Sequence, residues 1–415
     1  MFHGWKYLTD QDRETILRGL AEGRALGGPY HLELDWVDRC NARCFFCNSE
    51  GLQNGQRIGW DRARRILEQA AAGGLRSVRL CGGGEPLLHP EAGQLLRWMG
   101  ERGIVLDNLN TNGIVLNEEL LEALMEPCVG EVRISLNFAD RQTYSEAMGV
   151  APQMFDRVCD MTAQLDVLRR EHSNFGELHI QFFIYRKTAG HVRACYDLAR
   201  QLGADRIILR ELWGIAPELE LGEDQAEGVV EQMERILAED AGEGRVINQL
   251  ESHGIGERVE RMRRERQGEA EADDGPEVDL ACHYCYIGWY SMTVLGDESV
   301  YPCCFLVPEP KVGALDNLKG KTVAEVWRGP RFDRFRREMR AWQLLERPVP
   351  WFGRRMKTIA PQCATHDQCP VTRGMCDEWF YREADRRLGE VRRRPTVRAW
   401  RLAGRAGRWL ERRRR

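Results

Sequence analysis

Three cysteines within eight residues, Cys40, Cys44 and Cys47 in the string Cys-Asn-Ala-Arg-Cys-Phe-Phe-Cys, constrain this chain more than any other feature. The C-x3-C-x2-C spacing follows a short apolar run, 32–37, so three thiolates share one tight loop at a strand end. Closed zinc or iron–sulfur sites generally take four protein ligands. A three-thiolate site leaves one coordination position open, and an open position is where chemistry happens. Zinc, or part of a ferredoxin-like site, is the alternative for three close cysteines taken alone.

The surrounding pattern sets the scaffold. Strand-like runs at 32–37, 77–80, 104–109, 131–136, 178–185 and 206–212 alternate with helix-like runs at 60–72, 91–102, 118–125, 153–170 and 191–202. Gly73-Gly74, Gly103, Asn112-Gly113 and Gly203 punctuate the joints. Strands and helices in regular alternation imply a parallel sheet with right-handed crossovers. The cysteine loop follows the first strand. A second loop, Cys81-Gly82-Gly83-Gly84-Glu85-Pro86, follows the next strand, so both open onto one face.

With both loops in view, the chain resembles the radical S-adenosylmethionine (radical SAM) superfamily. The resemblance implies an α/β fold, a partial (β/α)6 TIM-like barrel over about 30–215, with its site at the strands' C-terminal ends. It implies that Cys40, Cys44 and Cys47 hold a 4Fe–4S cluster whose fourth iron binds SAM. Reductive cleavage of SAM to a 5′-deoxyadenosyl radical would then abstract hydrogen from a C–H bond. Glu85 would bind the SAM ammonium, and Gly83 and Gly84 would let the backbone approach the ligand. Phe46 would pack near the adenine, with ordinary core packing as its alternative. Asn112 in Asn110-Thr111-Asn112-Gly113, and Ser135 and Asn137 on the fourth strand, would contribute polar contacts to SAM, or else serve as turn residues. Many relatives carry Asp where this chain has Asn137. Cys81, Cys128, Cys159 and Cys195 read as buried structural thiols.

A second cysteine-rich stretch starts at Cys282-x2-Cys285, continues through Pro302-Cys303-Cys304 and ends with Cys363-x5-Cys369-x6-Cys376. It resembles the SPASM or "twitch" extension of radical SAM enzymes, which implies auxiliary iron–sulfur binding over about 281–380. One auxiliary cluster is expected, on Cys285, Cys303, Cys363 and Cys369. Cys282, Cys304 and Cys376 are substitutes or part of a second, incomplete site, and structural zinc is the alternative metal. The family pattern places a glycine in the turn before Pro302-Cys303, where this chain has Glu298.

Fourteen cysteines and no signal-like start point to metal ligation in a reducing cytoplasm rather than to disulfides. Residues 1–29 form an N-terminal extension, and 216–280 an acid-rich helical segment and linker. From 382 to 415 the chain carries 14 arginines against four acids, although its overall net charge is −4. This basic amphipathic tail, helical from about Arg398, is a candidate for peripheral membrane or acidic-partner contact; no nucleic-acid fold signature accompanies it. A flavodoxin- or ferredoxin-type donor would supply the electron. The expected activity is net oxidation of a small polar substrate of sugar or aminocyclitol type, because 29 residues are too few for a peptide-binding domain. A peptide maturase forming crosslinks or epimers, and a non-catalytic iron–sulfur carrier, are the alternatives.

Overall fold

The computed structural model describes residues 4–172, 176–212, 215–250, 255–266, 285–307, 313–345 and 378–393. Cys282, Cys363, Cys369 and Cys376, the acidic stretch 267–280 and the tail beyond 393 lie outside them.

The N-terminal extension contains a helix, α1 (Asp10–Glu22), that sequence reading left undivided. Its start is closed by a capping box: Thr9 Oγ1 accepts from the Asp12 N–H and Asp12 accepts from the Thr9 N–H. The Asp12 carboxylate also takes two hydrogen bonds from Arg76, at 2.7 and 3.0 Å. One acid thus ends the first helix and anchors it beside the second strand.

Strands β1 (His31–Leu34), β2 (Ser77–Leu80), β3 (Val105–Thr111), β4 (Glu131–Asn137), β5 (Glu177–Ile184) and β6 (Arg206–Glu211) fall within three residues of their expected bounds. Between them run α2 (Trp60–Ala72), α3 (Ala92–Glu101), α4 (Glu118–Leu124), α5 (Arg141–Met148), α6 (Gln153–Glu171) and α7 (Val192–Gln201). Every neighbouring pair from β1 to β6 is parallel. Along the strands, side chains alternate between faces. Leu32, Leu34, Val78, Leu80, Val132, Ile134, Leu178, Ile180, Phe182, Ile207 and Leu209 form one fully buried apolar face. The other face carries Glu33, Arg79, Arg133, His179, Gln181 and Arg210. A parallel sheet that is apolar outside and charged inside has a polar interior to offer.

The sheet does not stop at residue 215. After α8 (Glu223–Asp240), β7 (Val246–Gln249) adds a further parallel strand beside β6, followed by α9 (Ile255–Arg266). Four residues ending in Asn-Gln carry too little strand signal to be read from sequence. At the other edge, β8 (Ser291–Val294) pairs parallel with β1 and turns back through β9 (Ser299–Tyr301) and β10 (Asp316–Asn317). The order is β10-β9-β8-β1-β2-β3-β4-β5-β6-β7, an open, partial barrel.

Helices α10 (Val323–Trp327), α11 (Pro330–Leu345) and α12 (Glu378–Arg392) complete the described fold. The beginning of the basic tail is therefore a docked helix: Phe380, Ala384 and Leu388 are buried, and Arg387 makes a bidentate pair with Glu14 of α1. No described helix is long and apolar enough to cross a membrane.

Candidate functional site

The cysteine loop leaves β1 through Trp36, whose ring stacks on His89 at 3.8 Å and whose indole N–H donates to the Pro86 carbonyl. The first strand's exit is thus tied to the loop that follows the second. Backbone bonds fix the rest of the turn: Arg43 and Phe45 N–H donate to Met148 and Ala147 carbonyls, and Glu85 N–H donates to the Arg39 carbonyl. Cys40, Cys44 and Cys47 all lie half-buried on this frame. Burial pushes the Cys44 thiol up to about 12 and also raises Cys40. A metal centre that binds thiolates would offset that cost. The Ala42 N–H points at Cys40 Sγ from 3.5 Å, and Asn112 Nδ2 lies 3.7 Å from the same sulfur.

Among the described residues, no three His, Cys, Asp or Glu side chains converge tightly enough to hold a single metal ion, this triad included. Three half-buried thiols on one loop are the donor set of an iron–sulfur cluster that lacks its fourth protein ligand. Cys44 Sγ lies 3.3 Å from Met148 Sδ, at the end of α5, a neighbour that no sequence signal marks.

The glycine loop fits against this turn for a reason internal to the protein. A Cβ on Gly82 or Gly83 would run into the Asp35 carboxylate, and one on Gly84 into the Val37 and Arg39 carbonyls. The Gly83 N–H donates to Asp35. Burial, with Asp38 adding to it, pushes the Asp35 carboxyl up to about 8. Asp35 was not among the residues expected at the site; its signal was a carboxylate immediately after an apolar strand.

Glu85 is 2 % exposed. Its carboxylate accepts from the Thr111 hydroxyl at 2.7 Å, the Asn112 N–H at 2.7 Å and the Leu87 N–H at 3.1 Å. Even so, burial pushes it up to about 7. A buried carboxylate held by three donors and still disfavoured as an anion is matched to a cation. Asn112 completes the junction by donating from Nδ2 to Asn41 Oδ1 within the cysteine loop.

Asn137 is buried in a left-handed conformation, φ 67°, where β4 breaks register. Its Nδ2 lies 3.1 Å from Met148 Sδ, whereas Oδ1 has no partner. Backbone strain and an orphaned acceptor at one residue are features that collect at ligand sites. Ser135 lies two residues earlier on the same strand.

Phe46 packs against Phe45, Phe138 and Phe183, with centroids 5.1–5.8 Å away. With Phe45, Cys47, Asn48, Ile215, Ala216 and Leu219 it also lines a cavity of about 330 Å³. Both expected roles are therefore compatible at this one ring.

Of the second module's expected ligands, Cys285 and Cys303 fall within the described residues, as does Cys304. The adjacent Cys304 thiol, together with burial, holds Cys303 well above the usual thiol range. Despite its burial, Arg79 and His31, with Cys304 adding to them, hold the Glu33 carboxyl of β1 below the usual carboxylate range. The hairpin leading to them turns at Glu298, whose φ of 66° occupies the left-handed region that glycine adopts freely. The Glu298 carboxylate pairs with Arg62 of α2 at 2.8 Å, which ties the turn to the barrel.

Two family descriptions match this architecture: the radical SAM superfamily over residues 36–166, and an iron–sulfur cluster-binding domain, SPASM, over 285–348. A probable GTP 3′,8-cyclase of Sulfurisphaera tokodaii is 29% identical over 205 residues, covering 49% of this chain and 61% of the cyclase. An AdoMet-dependent heme synthase of Methanosarcina barkeri is 26% identical over 40% of this chain and 45% of its own. The matches thus span about half of these relatives. SuiB of Streptococcus suis bound to S-adenosylmethionine shares the fold with a TM-score of 0.56 at 17% identity, over 79% of this chain and 72% of SuiB. The anSMEcpe enzyme with bound AdoMet and a peptide shares it at 0.52 and 15%, over 89% and 98%. The chain thus contains a radical SAM domain over residues 36–166 and, C-terminal to it, a SPASM iron–sulfur cluster-binding domain over 285–348.

Proposed function

We propose that this enzyme abstracts a hydrogen atom from a C–H bond of a small polar substrate held in the barrel interior, with net oxidation as the outcome. When bound, the 4Fe–4S cluster and SAM supply the one-electron cleavage that starts the reaction, and the SPASM cluster supplies a second redox centre. Cys40, Cys44 and Cys47 hold the first cluster. Glu85 receives the SAM ammonium, Asn137 Oδ1 accepts a hydrogen bond from it or its ribose, and the cavity beside Phe46 takes its adenine. The aromatic wall of Phe46, Phe138 and Phe183 keeps water from the reacting carbon.

The observation that carries this reading is the meeting of three half-buried thiols and a buried Glu85, held by three donors, above a charged strand interior. Anaerobic reconstitution with iron, sulfide, SAM and dithionite tests it: 5′-deoxyadenosine should form, and Cys44→Ala should abolish it. An iron–sulfur carrier would make none. The donor in the cell would be a flavodoxin or ferredoxin.

A second reading, peptide modification, is favoured by fold neighbours described with peptides, SuiB with its precursor peptide SuiA and anSMEcpe with Cp18Cys. Turnover of a peptide rather than a small polar substrate separates the readings, and product mass then names the outcome: loss of two hydrogens accompanies oxidation or crosslinking, and deuterium uptake without mass loss marks epimerisation.

A further inference from the structure

The polar layer inside the barrel holds three guanidiniums, and its two carboxylates serve only two of them. Arg79 pairs with Glu33 at 2.9 Å and donates from Nε to Asn108. Arg133 pairs with Glu131 at 2.6 Å, but the same Glu131 oxygen also accepts from Asn108 and lies 3.1 Å from His179 Nδ1. Arg133 Nε is buried without a partner. The third, Arg210 on β6, has no carboxylate partner among the described residues; its one hydrogen bond is a long 3.5 Å contact to Gln181 Oε1. Burial, with Arg133 and Arg79 repelling it, pulls the Arg210 guanidinium down to about 10.

Arg210 also sits close to the chemistry. Its guanidinium lies 5.7 Å from the Phe183 ring, which packs 5.1 Å from Phe46, the residue before Cys47. A half-buried cation with spare donors costs stability unless something pairs with it. A planar guanidinium fork is matched to the two oxygens of a carboxylate or phosphate.

We infer that Arg210, supported by the free Nε of Arg133, binds an oxyanion of the substrate, a carboxylate or a phosphate, and so orients the reacting carbon toward the cysteine loop. This rests on the hydrogen-abstraction reading only for what happens to the bound molecule.

Titration of SAM-loaded, reconstituted holoenzyme with malonate and with inorganic pyrophosphate, by calorimetry under anaerobic conditions, tests it and separates the two anions. At least one should bind, and Arg210→Met should weaken it about tenfold, or about 1.4 kcal/mol. Arg210→Lys should recover part of the loss, whereas the exposed Arg235→Gln should change nothing. Gln181→Glu places a carboxylate beside Arg210 and should block the anion while raising the melting temperature, which keeps the test available if Arg210→Met folds poorly. Absence of binding at millimolar concentration, wild-type binding by Arg210→Met and Gln181→Glu, or an equal loss of SAM affinity in Arg210→Met would each overturn the assignment. Formation of 5′-deoxyadenosine in the same preparation reports on hydrogen-abstraction chemistry separately from anion binding.

Discussion

The two cysteine-bearing regions solve the same problem at different ranges. Around Cys40, Cys44 and Cys47 the ligands lie on one turn, and the loops bracing them follow adjacent strands, β1 and β2. In the second region the cysteines run from Cys282 to Cys376, past both ends of the SPASM match, and the described ones owe their position to a hairpin laid against β1 from far along the chain. The first arrangement is local and stiff; the second depends on long-range docking. Removing a thiol from the first should therefore damage chemistry with little effect on folding, and removing one from the second should act through assembly.

The sharpest test of that contrast is to remove a single thiol from each. Cys44→Ala should eliminate 5′-deoxyadenosine formation while leaving the melting temperature of the metal-free protein nearly unchanged. Cys303→Ala should lower iron content, read by chemical assay and electron paramagnetic resonance, yet keep SAM cleavage. Loss of SAM cleavage in both would break the comparison.

Gly84→Ala comes next. Its Cβ would meet two backbone carbonyls that have no side-chain freedom to yield, so a destabilisation of about 3 kcal/mol is expected from overpacking. Denaturant melts of the metal-free protein measure it, and an unchanged midpoint would show that the two loops are less tightly joined than their contacts imply.

Asp35→Asn should reshape pH dependence. The carboxyl titrates near 8 in the folded protein against an ordinary value near 3.8. Folding therefore binds a proton there, and the stability this gives is fully present below about pH 4 and is lost as pH rises toward 8. The variant should gain about 2 kcal/mol on the wild type between about pH 5 and pH 6.5, seen as a flatter plot of melting temperature against pH in metal-free protein.

The smallest effect belongs to the hairpin. Glu298→Ala keeps the strained backbone and loses the Arg62 pair, costing about 1 kcal/mol. Glu298→Gly loses the pair but relaxes the turn and should come out near neutral. Equal losses in the two variants would show that the ion pair, not the backbone, sets the turn's stability.

Much of the scaffold could be read directly. Trp60–Ala72 and Ser77–Leu80 match their expected bounds because a strongly amphipathic helix and a short apolar strand announce themselves locally. The cysteine triad and the glycine loop were legible for the same reason. What escaped depends on partners distant in sequence. β7 is a strand because β6 offers it an edge, and Met148 reaches the site because α5 folds beneath the cysteine loop. Arg210 looked like one more charged residue on a strand until the sheet curved and left it beside two other arginines. Glu298 stood out as a departure from the family's glycine, and its backbone adopts the conformation that glycine would.

Placing β8 beside β1 has a consequence for how the molecule is made. His31 aligns with Ser291, so β1 lacks one neighbour until Ser291 has left the ribosome. Closing so long a span is slow compared with pairing successive strands. During that interval β1 waits with one side unpaired, an edge on which aggregation can begin. Expression faster than β8 can dock should therefore yield insoluble protein before it yields inactive protein.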